Sequence, residues 1–151
     1  MESFLDRLQE ELTVDEGCKY EIYLDHLGLP TFGIGHLIKE QDPEHGRPVG
    51  TKVDEIRVSE CFNQDIMVTL QDCKNVFEDF DALPQEVRLI VANMIFNLGR
   101  PRFLGFKKCI QAIKDGDWFE ASVQMQDSRW YKQVTNRADR LISRMKAVGL
   151  S

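Results

Sequence analysis

Glu16-Gly17-Cys18-Lys19-Tyr20-Glu21-Ile22-Tyr23-Leu24-Asp25-His26-Leu27-Gly28-Leu29-Pro30-Thr31-Phe32-Gly33-Ile34-Gly35-His36-Leu37-Ile38 is the stretch that decides the fold. Elsewhere apolar residues return every three or four positions, and here that helical period stops. Glu21–Asp25, the turn-like His26-Leu27-Gly28 and then Thr31–His36 read as a small β-hairpin. Upstream, Met1, Phe4, Leu5, Leu8 and Leu12 share one face of an amphipathic helix over 1–14. Downstream, Gln41–Thr51 holds Pro43, Gly46, Pro48 and Gly50 and reads as a loop.

Beyond Asp54, a candidate N-cap, the positions Val58, Phe62, Ile66, Leu70, Cys73 and Phe77 predict a long helix over 54–78. At about 24 residues it would run roughly 36 Å, enough to join two lobes. Pro84 as first residue and Gly99 as terminator bracket the next helix. Its interior, Val87–Leu98, is apolar nearly all round and belongs in the middle of a helical lobe. Shorter helices are expected at about 103–114, 117–127 and 136–147. Thr135 is the expected cap of the last, and Ala138, Leu141, Ile142 and Met145 its buried stripe. The reading is α+β in a single domain. A small sheet lobe (15–53) and a larger helical lobe (79–151, with helix 1–14) are joined by the long helix, with a binding cleft expected between them.

Composition narrows the possible functions. The chain has 151 residues, 19 basic and 25 acidic, for a net charge of −6. A domain of that length can bury about 68–70% of its unfolded surface. With 42% hydrophobic residues, disorder and fibrous repeats are excluded. No apolar run reaches the ~18–20 residues of a membrane span, so no stable membrane insertion is expected. Met1–Arg7 has neither a basic nor an apolar segment of a secretion signal, and the cytoplasm of the producing cell is the expected location. The acidic balance argues against nucleic acid as a partner. Cys18, Cys61, Cys73 and Cys109 form no C-x-x-C and stand at no zinc spacing to His26, His36 or His45. Four free thiols, mostly core, are expected, with no metal and no cofactor.

Glu16 falls where the first helix gives out. A glutamate partly withdrawn from water there suits a general acid, though a solvated helix-end carboxylate fits the same position. Asp25 ends one hairpin strand and Thr31 begins the other, so a carboxylate and a hydroxyl come side by side. Acid, carboxylate and water-holding hydroxyl are the groups that cleave a glycosidic bond. Alone, Asp25 and Thr31 also read as turn and strand residues, and His36 as a structural histidine. Gly33-Ile34-Gly35-His36 lacks the spacing of a phosphate loop. Ser128-Arg129-Trp130-Tyr131 could stack on a sugar face or simply pack, and Asn136-Arg137-Ala138-Asp139-Arg140 reads as a solvated helix start.

Several of these stretches together resemble one family. Asp15-Glu16-Gly17, Ile22-Tyr23-Leu24-Asp25 and Thr31–Leu37 are similar to the catalytic stretch of the phage-type lysozymes, the T-even-phage muramidases among glycoside hydrolases. The likeness continues in Phe62-Asn63-Gln64-Asp65, in Asn93–Gly99, and in Ser128–Tyr131 with Asn136-Arg137-Ala138, in the family's order. It implies a lysozyme-like two-lobed fold and hydrolysis of the β-1,4 bond between N-acetylmuramic acid and N-acetylglucosamine in peptidoglycan. Glu16 would be the acid, and Asp25 with Thr31 would hold the attacking water, with inversion at the sugar. Glycan contacts fall on Leu37 and Phe96, on Asn97 and Arg129, and on Cys109 and Gln124, where the family's usual serine and asparagine are absent. Arg137 would pair with Glu16, and His36 with Asp65. The long helix would let the lobes hinge, and the protein would act as a monomer on the bacterial wall.

The chain departs from the pattern in a shorter loop after His36, in ending at Ser151 and in its acidic net charge. The charge predicts a rate on intact anionic walls that rises with moderate salt, unless basic residues near the cleft impose a local positive field. A lytic transglycosylase and a non-catalytic glycan-binding module are the competing readings. The first would not need Asp25 with Thr31, and the second would need none of the three.

Overall fold

Three short strands, not two, replace the helical period. The computed structural model describes residues 2–150, so Met1 of the first apolar stripe lies outside it. β1 (Lys19–Leu24), β2 (Pro30–Gly33) and β3 (His36–Leu37) form an antiparallel sheet in the order β1-β2-β3. The expected second strand, Thr31–His36, is broken because Gly33 and Gly35 take φ of +64° and +65°, which turns the chain back on itself. Tyr23 pairs with Thr31, and Thr31 in turn with Leu37.

The helices are α1 (Phe4–Glu16), α2 (Glu55–Val76), α3 (Gln85–Leu98), α4 (Arg100–Phe103), α5 (Lys107–Lys114), α6 (Trp118–Gln126), α7 (Arg129–Gln133) and α8 (Thr135–Val148). The fold class is α+β. The described residues divide into two compact groups, one of Leu5–Val68 and one of residues 2–4 with 69–150.

In the first group, Leu8 and Leu12 of α1, Ile22 and Phe32 of the sheet, and Val58, Phe62 and Ile66 of α2 are buried. The loop after β3 is not wholly irregular. Ile22 donates to Thr51, Gly50 to Ile22, and Val53 to Tyr20, which lays residues 50–53 along the outer side of β1.

In the second group, α3 is buried along nearly its whole length and packs on α8, which also packs on α6. Ala138, Leu141, Ile142 and Met145 of α8 are buried as their spacing requires. Phe77, Phe103, Phe106 and Trp130 follow one another with ring centroids 6.0–6.3 Å apart.

Local boundaries differ from the sequence reading. Pro84 is the N-cap and not the first helical residue. The helix expected at 103–114 divides, because the chain turns at Leu104-Gly105. Ser128 caps an additional helix, α7, by accepting from Tyr131 N–H. Thr135 lies inside α8, and its hydroxyl donates to the Tyr131 carbonyl instead of capping.

Candidate active site

Glu16, Asp25 and Thr31 all lie in the group formed by Leu5–Val68. Glu16 is the last residue of α1, partly exposed, and its carboxyl lies directly over Gly35. A Cβ built on Gly35 would sit 2.6 Å from Glu16 Oε1 and 2.8 Å from Cδ. The bare backbone at Gly35 is therefore what makes room for the carboxyl.

Asp25 follows β1 and organises the hairpin turn. Its Oδ1 accepts from Leu27 N–H at 2.9 Å and Leu29 N–H at 2.8 Å, while its own N–H donates to the Leu29 carbonyl. An aspartate bonding to its own downstream backbone fixes both turn and carboxylate. Oδ2 accepts no hydrogen bond from the described residues.

Thr31 is buried, and its hydroxyl donates to the Leu29 carbonyl at 2.9 Å. With its proton committed there, the oxygen's remaining lone pairs can only accept. Tyr23, paired with Thr31, was missed by the sequence reading. Burial pushes its phenol above the ordinary value, and the charges of Glu16 and then Asp25 add to that. Both carboxylates thus act on one phenol.

His36 is buried and held from two sides. Its Nδ1 lies 2.7 Å from Asp65 Oδ2 and its Nε2 2.9 Å from Asp42 Oδ2. Asp42 has no sequence signal beyond its place in the loop. Arg57 reaches the same cluster, bonding Asp42 at 3.2 Å and Glu44 at 3.0 Å. Burial opposes the charged ring of His36, but the hydrogen bonds and charges of Asp65 and Asp42 outweigh it, and its pKa is raised. Leu37, opposite Thr31 on β3, is exposed.

The remaining sequence candidates lie in the other group. Cys109, Gln124 and Arg129 line one cavity of about 680 Å³ together with Phe106, Ser128 and Trp130. Cys109 is nonetheless only 1% exposed, and burial pushes its thiol up to about 12. Gln124 bonds Glu120 at 2.8 Å. Phe96 and Asn97 are not in the cavity lining, but Asn97 accepts from Trp130 Nε1 at 2.8 Å and so fixes the indole that is. Arg137 is buried, contrary to a solvated helix start, and its Nε donates to Asn93 Oδ1 at 2.8 Å. Among the described residues no group of three or more His, Cys, Asp or Glu could hold a metal ion.

Comparison with known proteins gives the family. Residues 14–147 match the family model described as phage lysozyme. A probable T4-type lysozyme 2 of Dictyostelium discoideum is 33% identical, with 90% of this chain and 91% of the relative covered. The pre-baseplate central spike protein Gp5 of Enterobacteria phage T4 is 30% identical over 89% of this chain and 26% of its own length. Peptidoglycan hydrolase gp36 of Pseudomonas phage phiKMV is also 30% identical, over 91% of this chain and 15% of its own length. The chain belongs to the phage lysozyme family, and it is an enzyme of the lysozyme type.

Proposed function

We propose that the enzyme hydrolyses the β-1,4 bond between N-acetylmuramic acid and N-acetylglucosamine in bacterial peptidoglycan, with inversion, and so lyses bacterial cells. The observation that carries the reading is that Asp25 and Thr31 are both held by hydrogen bonds to Leu29. One Asp25 oxygen is locked by the turn and the other has no hydrogen bond from the described residues, while the Thr31 hydroxyl has its proton already committed to the Leu29 carbonyl. Such a pair accepts both protons of one water and leaves that water's lone pair for the anomeric carbon. Glu16 gives its proton to the departing glycosidic oxygen, Asp25 takes one from the water, and solvent restores both groups. Leu37, Phe96, Asn97, Cys109, Gln124 and Arg129 are the proposed glycan-side contacts.

Digestion of purified peptidoglycan by the wild type and by Glu16→Gln tests the reading. General acid catalysis is worth about 10²–10⁴-fold, and the variant should lose at least that. Equal rates would overturn the assignment of Glu16. The anomer of the fresh product, read by NMR before mutarotation, should be α. A β product would exclude inversion, and 1,6-anhydro ends would mean transglycosylation without water.

A further inference from the structure

We propose that a cavity of about 570 Å³ along β1 is a further sugar site, which takes an N-acetylhexosamine unit away from the bond that is cut and lets the enzyme favour long glycan strands over short ones. This inference rests on the proposed glycan substrate. The cavity lies wholly within the group Leu5–Val68. Lys19, Tyr20, Glu21 and Tyr23 line it from β1, and Val49 and Lys52 line it from the stretch that hydrogen-bonds to the outer side of that strand. Tyr23 ties the cavity to the reaction. It is the strand partner of Thr31, so the two side chains leave the same face of the sheet, and its phenol feels the charges of Glu16 and Asp25. A glycan held at those three groups therefore passes Tyr23 and continues into the cavity.

The lining says which class of ligand fits. Both ammonium groups are already engaged, Lys19 Nζ at 4.4 Å from the centre of the Tyr23 ring and Lys52 Nζ at 3.9 Å from Glu21 Oε1. Acidic side chains outnumber basic ones in Leu5–Val68, so an anion would gain little here. A purely apolar chain would strip water from Glu21 and the lysines and give nothing in return. Tyr20 is 48% exposed and Val49 59%, so an aromatic ring and an apolar side chain stand open beside those polar groups. A neutral sugar satisfies both kinds of surface. Its C–H face packs on the ring, while its hydroxyl and acetamido groups bond to the carboxylate and the ammonium groups.

The test compares wild type with Tyr20→Ala and Tyr20→Phe, a position exposed and outside the core. The β-1,4-linked tetramer of N-acetylglucosamine is titrated against each protein by NMR. In the wild type, amide shifts should appear at residues 18–21 and 49–52. Loss of the ring in Tyr20→Ala should weaken this binding about tenfold, and Tyr20→Phe, which keeps the ring, should restore it. In parallel, kcat/KM is measured on long un-cross-linked peptidoglycan strands and on the shortest fragment that is cleaved. The advantage of the long strands should fall about tenfold in Tyr20→Ala. No shift at residues 49–52 in the wild type would overturn the inference, as would an unchanged length preference in Tyr20→Ala. So would the same shifts on adding inorganic phosphate, which would mark an anion site. If the wild type cleaves no strand of either length, the proposed reaction fails, and the titration still decides the cavity.

Discussion

Glu16 and Gly35 are packed so closely that a methyl group added to Gly35 would lie 2.6 Å from Glu16 Oε1. Gly35→Ala must therefore displace the carboxyl, and it must also hold an L-residue at φ +65°. The backbone conformation alone costs about 1–2 kcal/mol. A misplaced acid should lower kcat about 10²-fold. Thermal unfolding and turnover measured on the same sample check both effects, and a variant with full activity would show that Glu16 is not held by this contact.

Thr31→Val keeps the shape of the buried side chain and removes only the hydroxyl bonded to Leu29. The lost hydrogen bond should cost about 1 kcal/mol, because the carbonyl can turn to water. On the proposed mechanism, loss of one of the two groups assigned to the water should cost kcat about 10²-fold. Stability near that of wild type with an unchanged kcat would mean that Asp25 alone positions the nucleophile.

The His36 cluster sets a pH window for stability. His36 has a raised folded pKa, so its contribution is complete below its unfolded value near 6.5 and is lost as pH rises through the higher folded value. Asp42 and Glu44 have lowered folded pKa values. For Asp42, burial opposes the charge but the Lys39 N–H, His36 and Arg57 prevail, and for Glu44 the hydrogen bonds to Arg57 lead. Their contribution is complete above about 3.8 and 4.5 and is lost as pH falls through the lower folded values. The cluster should therefore stabilise most between about pH 4.5 and 6.5. Asp42→Asn removes the negative charge that His36 and Arg57 share and one of its two acceptor oxygens, and should cost about 1–2 kcal/mol in that window. Melting temperature against pH for both proteins checks it, together with an NMR titration of His36.

The thiols should separate into one fast and three slow. Cys18 is exposed, whereas Cys61, Cys73 and Cys109 are buried, and burial pushes them up to about 11, 12 and 12. At pH 8 an alkylating reagent should modify Cys18 in the folded protein and the others only on unfolding. Mass spectrometry of the labelled peptides would show it.

Salt should act differently on two substrates. On intact anionic walls the net charge of −6 repels over about 10 Å at 0.1 M, so moderate salt should raise the rate. On soluble muropeptides, which carry no such extended wall charge, moderate salt should change the rate little. A rate on cells that only falls with salt would show that the local field of cations such as Arg102, Lys107, Lys108 and Arg129 dominates. Arg137, buried against Asn93, contributes little to a surface field.

Much of this was legible because periodicity and spacing are local. The stripe from Val58 to Cys73, the apolar α3 and the non-helical run after Glu16 each announce themselves within a few residues. The short hairpin likewise brings Asp25 and Thr31 each into a hydrogen bond with Leu29. What was missed depends on backbone conformation or on chain partners far apart. Two glycines at positive φ made the third strand, Asp42 met His36 through a loop without period, and Gly35 became the seat of Glu16. Capping by Ser128 and the break at Leu104-Gly105 turned on single residues at boundaries, where propensity says least.

Residues 16–31 carry Glu16, Asp25 and Thr31 in one uninterrupted run, and the turn from Asp25 to Leu29 is closed by hydrogen bonds whose spacing an extra residue would break. One residue inserted into β1 or β2 would send every following side chain to the opposite face. The exposed stretch 45–49 holds none of these groups. Descendants of this sequence can lengthen or shorten there and keep the reaction, so drift in length should collect in that stretch while the segment from Glu16 to Thr31 stays fixed in count.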